Sequence, residues 1–192
     1  MTTAVLTVVW LAGATYAAIP SFWLIVHPFT RHWRARKGSP YGRLSLFWLG
    51  VTALLLGVSE PWREVRLYTT PLALLPAMLL FFFSLSIYWN ARKSFTIARL
   101  IGRPEIDPAA RQQKLVITGL HGRVRHPIYL GHLCTLGAMT LGSGMAALYA
   151  FMVFAVITGW WMIRLEDREL EMRFGEEFRD YKKRVPAIAP RW

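Results

Sequence analysis

Residues 4–26 run for 23 positions without one charged side chain. At 1.5 Å of helical rise per residue, that length reaches across a hydrocarbon layer of roughly 30 Å. A lone segment satisfies its backbone there as a helix, so the first prediction is a membrane span. Four more apolar stretches follow. Residues 44–59 number only 16 and need help from their flanks to cross. Residues 69–90 carry Pro76 in their interior, where the missing N–H predicts a bend, and end on Tyr88 and Trp89, which suit an interfacial belt. Residues 127–141 and 148–163 are joined by Gly142-Ser143-Gly144-Met145 and read as a tight helical hairpin. The expected fold is all-α: one integral membrane domain over residues 1–192, with about five transmembrane helices.

Composition excludes several alternatives. Apolar residues make up 54% of the chain and charged ones 18%, below the roughly 25% usual in soluble domains. A net charge of +12 would suit nucleic acid, but here the basic residues punctuate long apolar runs instead of covering a soluble face, so no nucleic-acid partner is expected. Cys134 is the only cysteine, which excludes an internal disulfide, and no Cys/His zinc pattern occurs, so no metal is expected. The first apolar run could be taken for a signal peptide, but Met1-Thr2-Thr3 offers no basic start and further spans follow; a retained helix is the expectation.

With five spans, residues 31–43, 92–125 and 164–191 fall on one side and hold 21 of the 23 Lys and Arg. The other side keeps Arg63 and Arg66, offset by Glu60 and Glu64. The positive-inside rule then predicts a multi-pass protein with its N-terminus outside and its C-terminus cytosolic. Much of that charge needs no other role than setting topology and touching anionic lipid.

Polar chemistry gathers in the last 80 or so residues. His126 precedes Pro127, a residue favoured in the first turn of a helix, so a helix is expected to start there with its unpaired N–H groups beside Arg123 and Arg125. Such a terminus can hold a carboxylate or phosphate. Glu166 and Asp167 end the fifth span next to Arg164, where a capping ion pair and a ligand site are equally open readings. His126 taken alone is more often a capping residue than a catalytic one. Leu170, Phe174, Phe178 and Tyr181 form an apolar stripe at helical spacing in charged surroundings, which predicts a C-terminal cytosolic amphipathic helix with a bend or restart at Gly175.

Together these residues resemble a known family. TGLxxxVRHPIYLG, then a hairpin, then EDRELEMRFGEEFRDYKKRVP is similar to the isoprenylcysteine carboxyl methyltransferase family and its relatives among phospholipid N-methyltransferases, over about two-fifths of the chain. The resemblance implies a membrane methyltransferase that binds S-adenosyl-L-methionine on the cytosolic side. It also implies a hydrophobic, membrane-borne acceptor entering from the lipid bilayer. It divides the chain into variable substrate-side helices (1–110) and a cofactor-binding core (111–192). It places Gln113, Leu115, Gly119, Arg125, His126, Tyr129, Glu166 and Asp167 at the cofactor. Arg164 and Arg184 are implied as acceptor-contacting residues, and His126 as a catalytic one.

Some positions depart from the family pattern: Gln113 where His is common, His121 where Tyr is usual, Asp167 for Glu and Phe178 for Tyr. Methyl transfer from a sulfonium is an in-line displacement with the methyl group already activated, so the protein mainly aligns donor and acceptor. A carboxylate acceptor needs orientation only, whereas an amine needs a proton acceptor, for which His121, His126 and Glu166 are candidates. Rival readings are a phospholipid amine methyltransferase, a sterol-type membrane reductase with a similar Arg-His-Pro segment, and a non-enzymatic membrane protein.

Overall fold

The computed structural model describes residues 2–35, 39–92, 102–107 and 114–189. Gln113 lies outside them. The described elements are α-helices and short 3₁₀ turns, with one isolated bridge between Arg66 and Met145. The all-α membrane bundle expected from the apolar runs is what forms.

The first run is a broken helix, α1 (Thr3–Ala17) and α2 (Ile19–Val26). Pro20 supplies the reason, since it cannot donate to Tyr16 and its ring crowds that carbonyl. Ser21 answers the break by donating its hydroxyl to the Ala18 carbonyl. A short α3 (Thr30–Ala35) follows. The second run extends beyond its expected ends: α4 (Tyr41–Ser59) continues through the 3₁₀ turn Glu60–Trp62, so 22 residues are available to cross. α5 (Leu74–Ala91) starts later than expected, which puts Pro76 in its first turn. The N–H groups of that turn have no intrahelical partner anyway, so the proline breaks no helical bond.

The hairpin is α6 (Pro127–Ser143) and α7 (Ala146–Phe174). Gly144 joins them at φ 68°, and a Cβ there would stand 2.5 Å from the Tyr68 carbonyl oxygen. Among the described residues, four segments are long and apolar enough to cross a membrane: Thr3–Val26, Tyr41–Trp62, Pro71–Ala91 and Ala146–Phe174. The other expected span, α6, has 17 residues and reaches only about 25 Å. It is the central helix, packed on α1, α5 and α7. The main core joins Trp10, Ala14 and Ala17 of α1, Leu136 of α6, and Leu148, Phe151 and Ala155 of α7. The Trp10 indole N–H donates to the Ser59 hydroxyl at 2.9 Å, tying α4 to the same core.

α7 ends where Gly175 takes φ 58°, and α8 (Glu176–Arg184) restarts the chain. The expected stripe is real: Phe178, Tyr181 and Val185 are buried and pack with Leu115, Leu170 and Phe174. α8 therefore lies against the bundle. Tyr88 departs from its interfacial expectation. Trp89 is exposed, but Tyr88 turns inward to His132.

Candidate active site

At the end of the bundle where α2, α6, α7 and α8 meet lies a cavity of about 530 Å³. Its polar centre is built by two adjacent carboxylates near the end of α7 and two adjacent cations at the start of α6. Successive helical residues diverge by about 100°, so neighbours on α7 serve different partners. Asp167 turns away from the cavity and is 4% exposed. The Arg125 guanidinium donates to it at 2.8 and 3.4 Å, His126 Nε2 lies at 3.2 Å and Lys182 Nζ at 3.4 Å. Glu166 lines the cavity, with 29% of its side chain accessible there, and its Oε2 sits 3.0 Å from His126 Nδ1.

The loop before α6 and the tail after α8 are clasped together. The Arg125 guanidinium also donates to the Val185 carbonyl. The backbone N–H groups of Arg125 and His126 donate to the Pro186 and Ala187 carbonyls at 2.9 and 3.0 Å. The Tyr181 hydroxyl donates to the His121 carbonyl at 2.6 Å, and burial pushes its pKa up to about 12, so it stays a donor.

Burial alone would lower the His126 pKa, but Glu166 and Asp167 overcome it and push the pKa up to about 9. His126 is therefore an imidazolium held between two carboxylates. His27, immediately after α2, behaves oppositely. Burial outweighs the pull of Glu166, whose Oε2 is 3.9 Å from its Nε2, and lowers the pKa to about 4. It is neutral, stacked on Trp23 with ring centroids 5.3 Å apart, and its buried Nδ1 has no hydrogen-bond partner.

Of the expected site residues, Leu115, Arg125, His126, Tyr129 and Glu166 line the cavity. Tyr129 does so with its ring, because its hydroxyl donates to the Ala155 carbonyl, filling the space left by Gly159. Asp167 holds the site from behind. Gly119 is exposed at φ 62° in the turn leading to His121, which does line the cavity.

Arg164 and Arg184 are not brought to the cavity. Arg164 precedes Glu166 by two residues, some 200° around the helix, and lies over the Trp160 ring at 3.9 Å on the outer face. Arg184 is exposed and donates to the Asp180 carbonyl at 3.2 Å. Beside Arg125, Arg173 lines the cavity, two turns after Glu166.

Sequence reasoning missed the opposite wall. Phe22, Trp23, His27, Tyr41 and Trp48 come from the first 110 residues, and Trp48 Nε1 is buried without a hydrogen-bond partner. Nothing in their spacing ties them to residues 111–189. It also missed His132, although a polar ring inside an apolar run is itself a signal.

The chain is similar to methanethiol S-methyltransferase 1 of Bradyrhizobium diazoefficiens, 39% identical over 77 residues that cover 37% of this chain and 24% of that protein. A methyltransferase by name is among its relatives. The chain is similar as well to a nickel-cobalt-cadmium resistance protein of Alcaligenes xylosoxydans xylosoxydans, 39% identical over 84 residues, 42% of this chain and 38% of that one. A Delta(14)-sterol reductase of Mus musculus is 31% identical over 84 residues, 43% of this chain and 20% of the reductase. The matched stretch spans between a fifth and two-fifths of these relatives' lengths. No protein-family model matches the chain, and no solved structure does.

Proposed function

We propose that this protein is a membrane methyltransferase that takes its methyl group from S-adenosyl-L-methionine and passes it to an apolar acceptor. The observation that carries this reading is the cavity's divided chemistry: a cavity-facing carboxylate, Glu166, at one end, and aromatic walls from Trp23, Tyr41, Trp48 and Tyr129. A volume of about 530 Å³ lies within the roughly 300–1,000 Å³ common for sites of small organic ligands. The donor set fits this cofactor. Glu166 suits an ammonium group or ribose hydroxyls, aromatic faces suit a sulfonium and a purine, and Pro127 and Ile128 open the N-terminus of α6 towards a carboxylate. His27 Nδ1 and Trp48 Nε1 offer an acceptor and a donor still to be satisfied.

When bound, the cofactor supplies a methyl group on a positively charged sulfur, ready for in-line displacement. Glu166, itself oriented by His126, fixes the charged end of the ligand, and Asp167 keeps His126 and Arg125 in place behind it. The apolar walls exclude water and align the acceptor. The resemblance to relatives named for methanethiol makes a small thiol one acceptor to test, beside prenylated cysteine and lipid amines. We place the site on the cytosolic side, following the positive-inside count.

The likeness to a sterol reductase favours a second reading, a nicotinamide-dependent reductase. Calorimetric titration of the purified protein with S-adenosylmethionine and with a reduced nicotinamide cofactor separates the two. Binding of the first alone is expected. Binding of the nicotinamide cofactor alone reverses the assignment, and binding of neither in a folded sample removes both.

A further inference from the structure

Six residues beyond His126, roughly 9 Å deeper along α6, His132 lines the same cavity. Its surroundings set its tautomer. Nδ1 lies 2.8 Å from the Ile128 carbonyl oxygen, which can only accept, so Nδ1 carries the proton. The Tyr88 hydroxyl, 3.1 Å from the same nitrogen, passes its own proton on to Thr135 Oγ1 at 3.3 Å, and Thr135 donates in turn to the Gly131 carbonyl at 3.0 Å. Each donor in this chain ends on an oxygen. Nε2 of a neutral His132 is left with its lone pair and no partner among the described residues. Gly131 makes the arrangement possible, because a Cβ there would stand 2.8 Å from the Tyr88 ring.

Resting on the methyltransferase reading, we propose that His132 Nε2 is the proton acceptor for the methyl acceptor, and that this acceptor is a small apolar thiol. Charge decides the class. Among the described residues, the titratable groups against the His132 ring are Tyr16 of α1 and Tyr88 of α5, and no ion pair involves it. Of the other cations lining the cavity, Arg125 is committed to Asp167 and Arg173 to Glu169, and Lys114 comes from the loop before α6, so none stands on α6 with His132. A carboxylate would enter without a proton for Nε2 to take, and an amine would enter as an ammonium beside the cofactor's sulfonium. A thiol enters neutral. An unsubstituted alkyl thiol ionises above the roughly 8.5 of a cysteine, so at neutral pH it gives up its proton only to a base. In the step, the S–H proton moves to Nε2 as the new S–CH₃ bond forms. The methyl–sulfonium bond breaks with its electron pair kept by the departing sulfur. A neutral thioether, a second neutral thioether and an imidazolium result, and nothing is oxidised or reduced.

The full chain in detergent provides the test, with ethanethiol as the probe. Ethanethiol added without cofactor should shift the ¹⁵N signal of His132 Nε2; no shift overturns the proposal whether or not the protein is a methyltransferase. H132Q should keep its affinity for S-adenosylmethionine within about twofold while transferring methyl to ethanethiol about 10²–10⁴ times more slowly at neutral pH. That gap should narrow as pH rises above the roughly 8.5 of a cysteine towards the thiol's own ionisation, because the thiolate needs no base. Wild-type rates in H132Q, or a defect equal at every pH, would assign His132 a packing role only. Wild-type protein that binds no S-adenosylmethionine defeats the methyltransferase reading instead, and in that case the His132 signal still reports on thiol binding. Should H132Q not fold, the wild-type ¹⁵N experiment decides.

Discussion

Replacing Asp167 by alanine should unfold the site end of the bundle before it alters any ligand contact. The carboxylate is 6% exposed, and its partners Arg125 and His126 are 9% and 5% exposed, so removal strands an imidazolium and a guanidinium away from water. Removing one member of a buried pair costs about 3–5 kcal/mol. Lys182, 42% exposed, adds little, since solvent already screens it. In a chain of this size each kcal/mol moves the transition by about 2–4 °C, which gives a fall of about 6–20 °C for Asp167→Ala. Asp167→Asn keeps an oxygen for Arg125 and should fall by about half as much. The protein carries its own reporter: Cys134 is the only cysteine and is 8% exposed, so a thiol-reactive dye reads unfolding directly in detergent. A shift below about 2 °C for Asp167→Ala would refute the reasoning and class the cluster with exposed ion pairs.

Glu166→Gln should weaken S-adenosylmethionine binding at least tenfold, about 1.4 kcal/mol, by calorimetry, whereas Arg164→Ala on the outer face should leave it unchanged. Gly159→Ala places a Cβ 1.5 Å from the Tyr129 hydroxyl, so that ring must leave α7; a loss of about 1–3 kcal/mol and weaker ligand binding are expected in the same dye assay. His126 has its pKa raised from 6.5 to about 9, so the stability it contributes is fully present below pH 6.5 and lost as pH rises through about 9. The difference in unfolding temperature between wild type and His126→Gln should shrink across that window. A difference that grows would mean that His126 is neutral in the folded state.

Much of the fold was legible because lipid leaves a long charge-free segment so few options. The runs that became α1–α2, α4, α5 and α7, the Gly142–Met145 turn, the restart at Gly175 and the Phe178–Tyr181 stripe all follow from local rules about length, glycine and periodicity. What local rules left open depended on what packs beside a segment. α6 was expected as one span among five, and only its packing shows that it is the short central helix around which the others are arranged. Arg164 and Asp167 belong to one charged run, yet helical rotation sends the first to the outer face and the second to a buried clasp.

The sequence by itself determined that this protein is a membrane helix bundle with its polar chemistry around Arg125-His126 and Glu166-Asp167. Tertiary structure alone decided how those pairs divide their work and which residues from the first 110 close the cavity. It also decided that His132 faces that cavity with one nitrogen proton-bearing and the other open. The physical reason is that hydrophobic length is a property of one segment. A tautomer, a buried ion pair and a cavity wall are properties of neighbours, and nothing along the chain records which neighbours will meet.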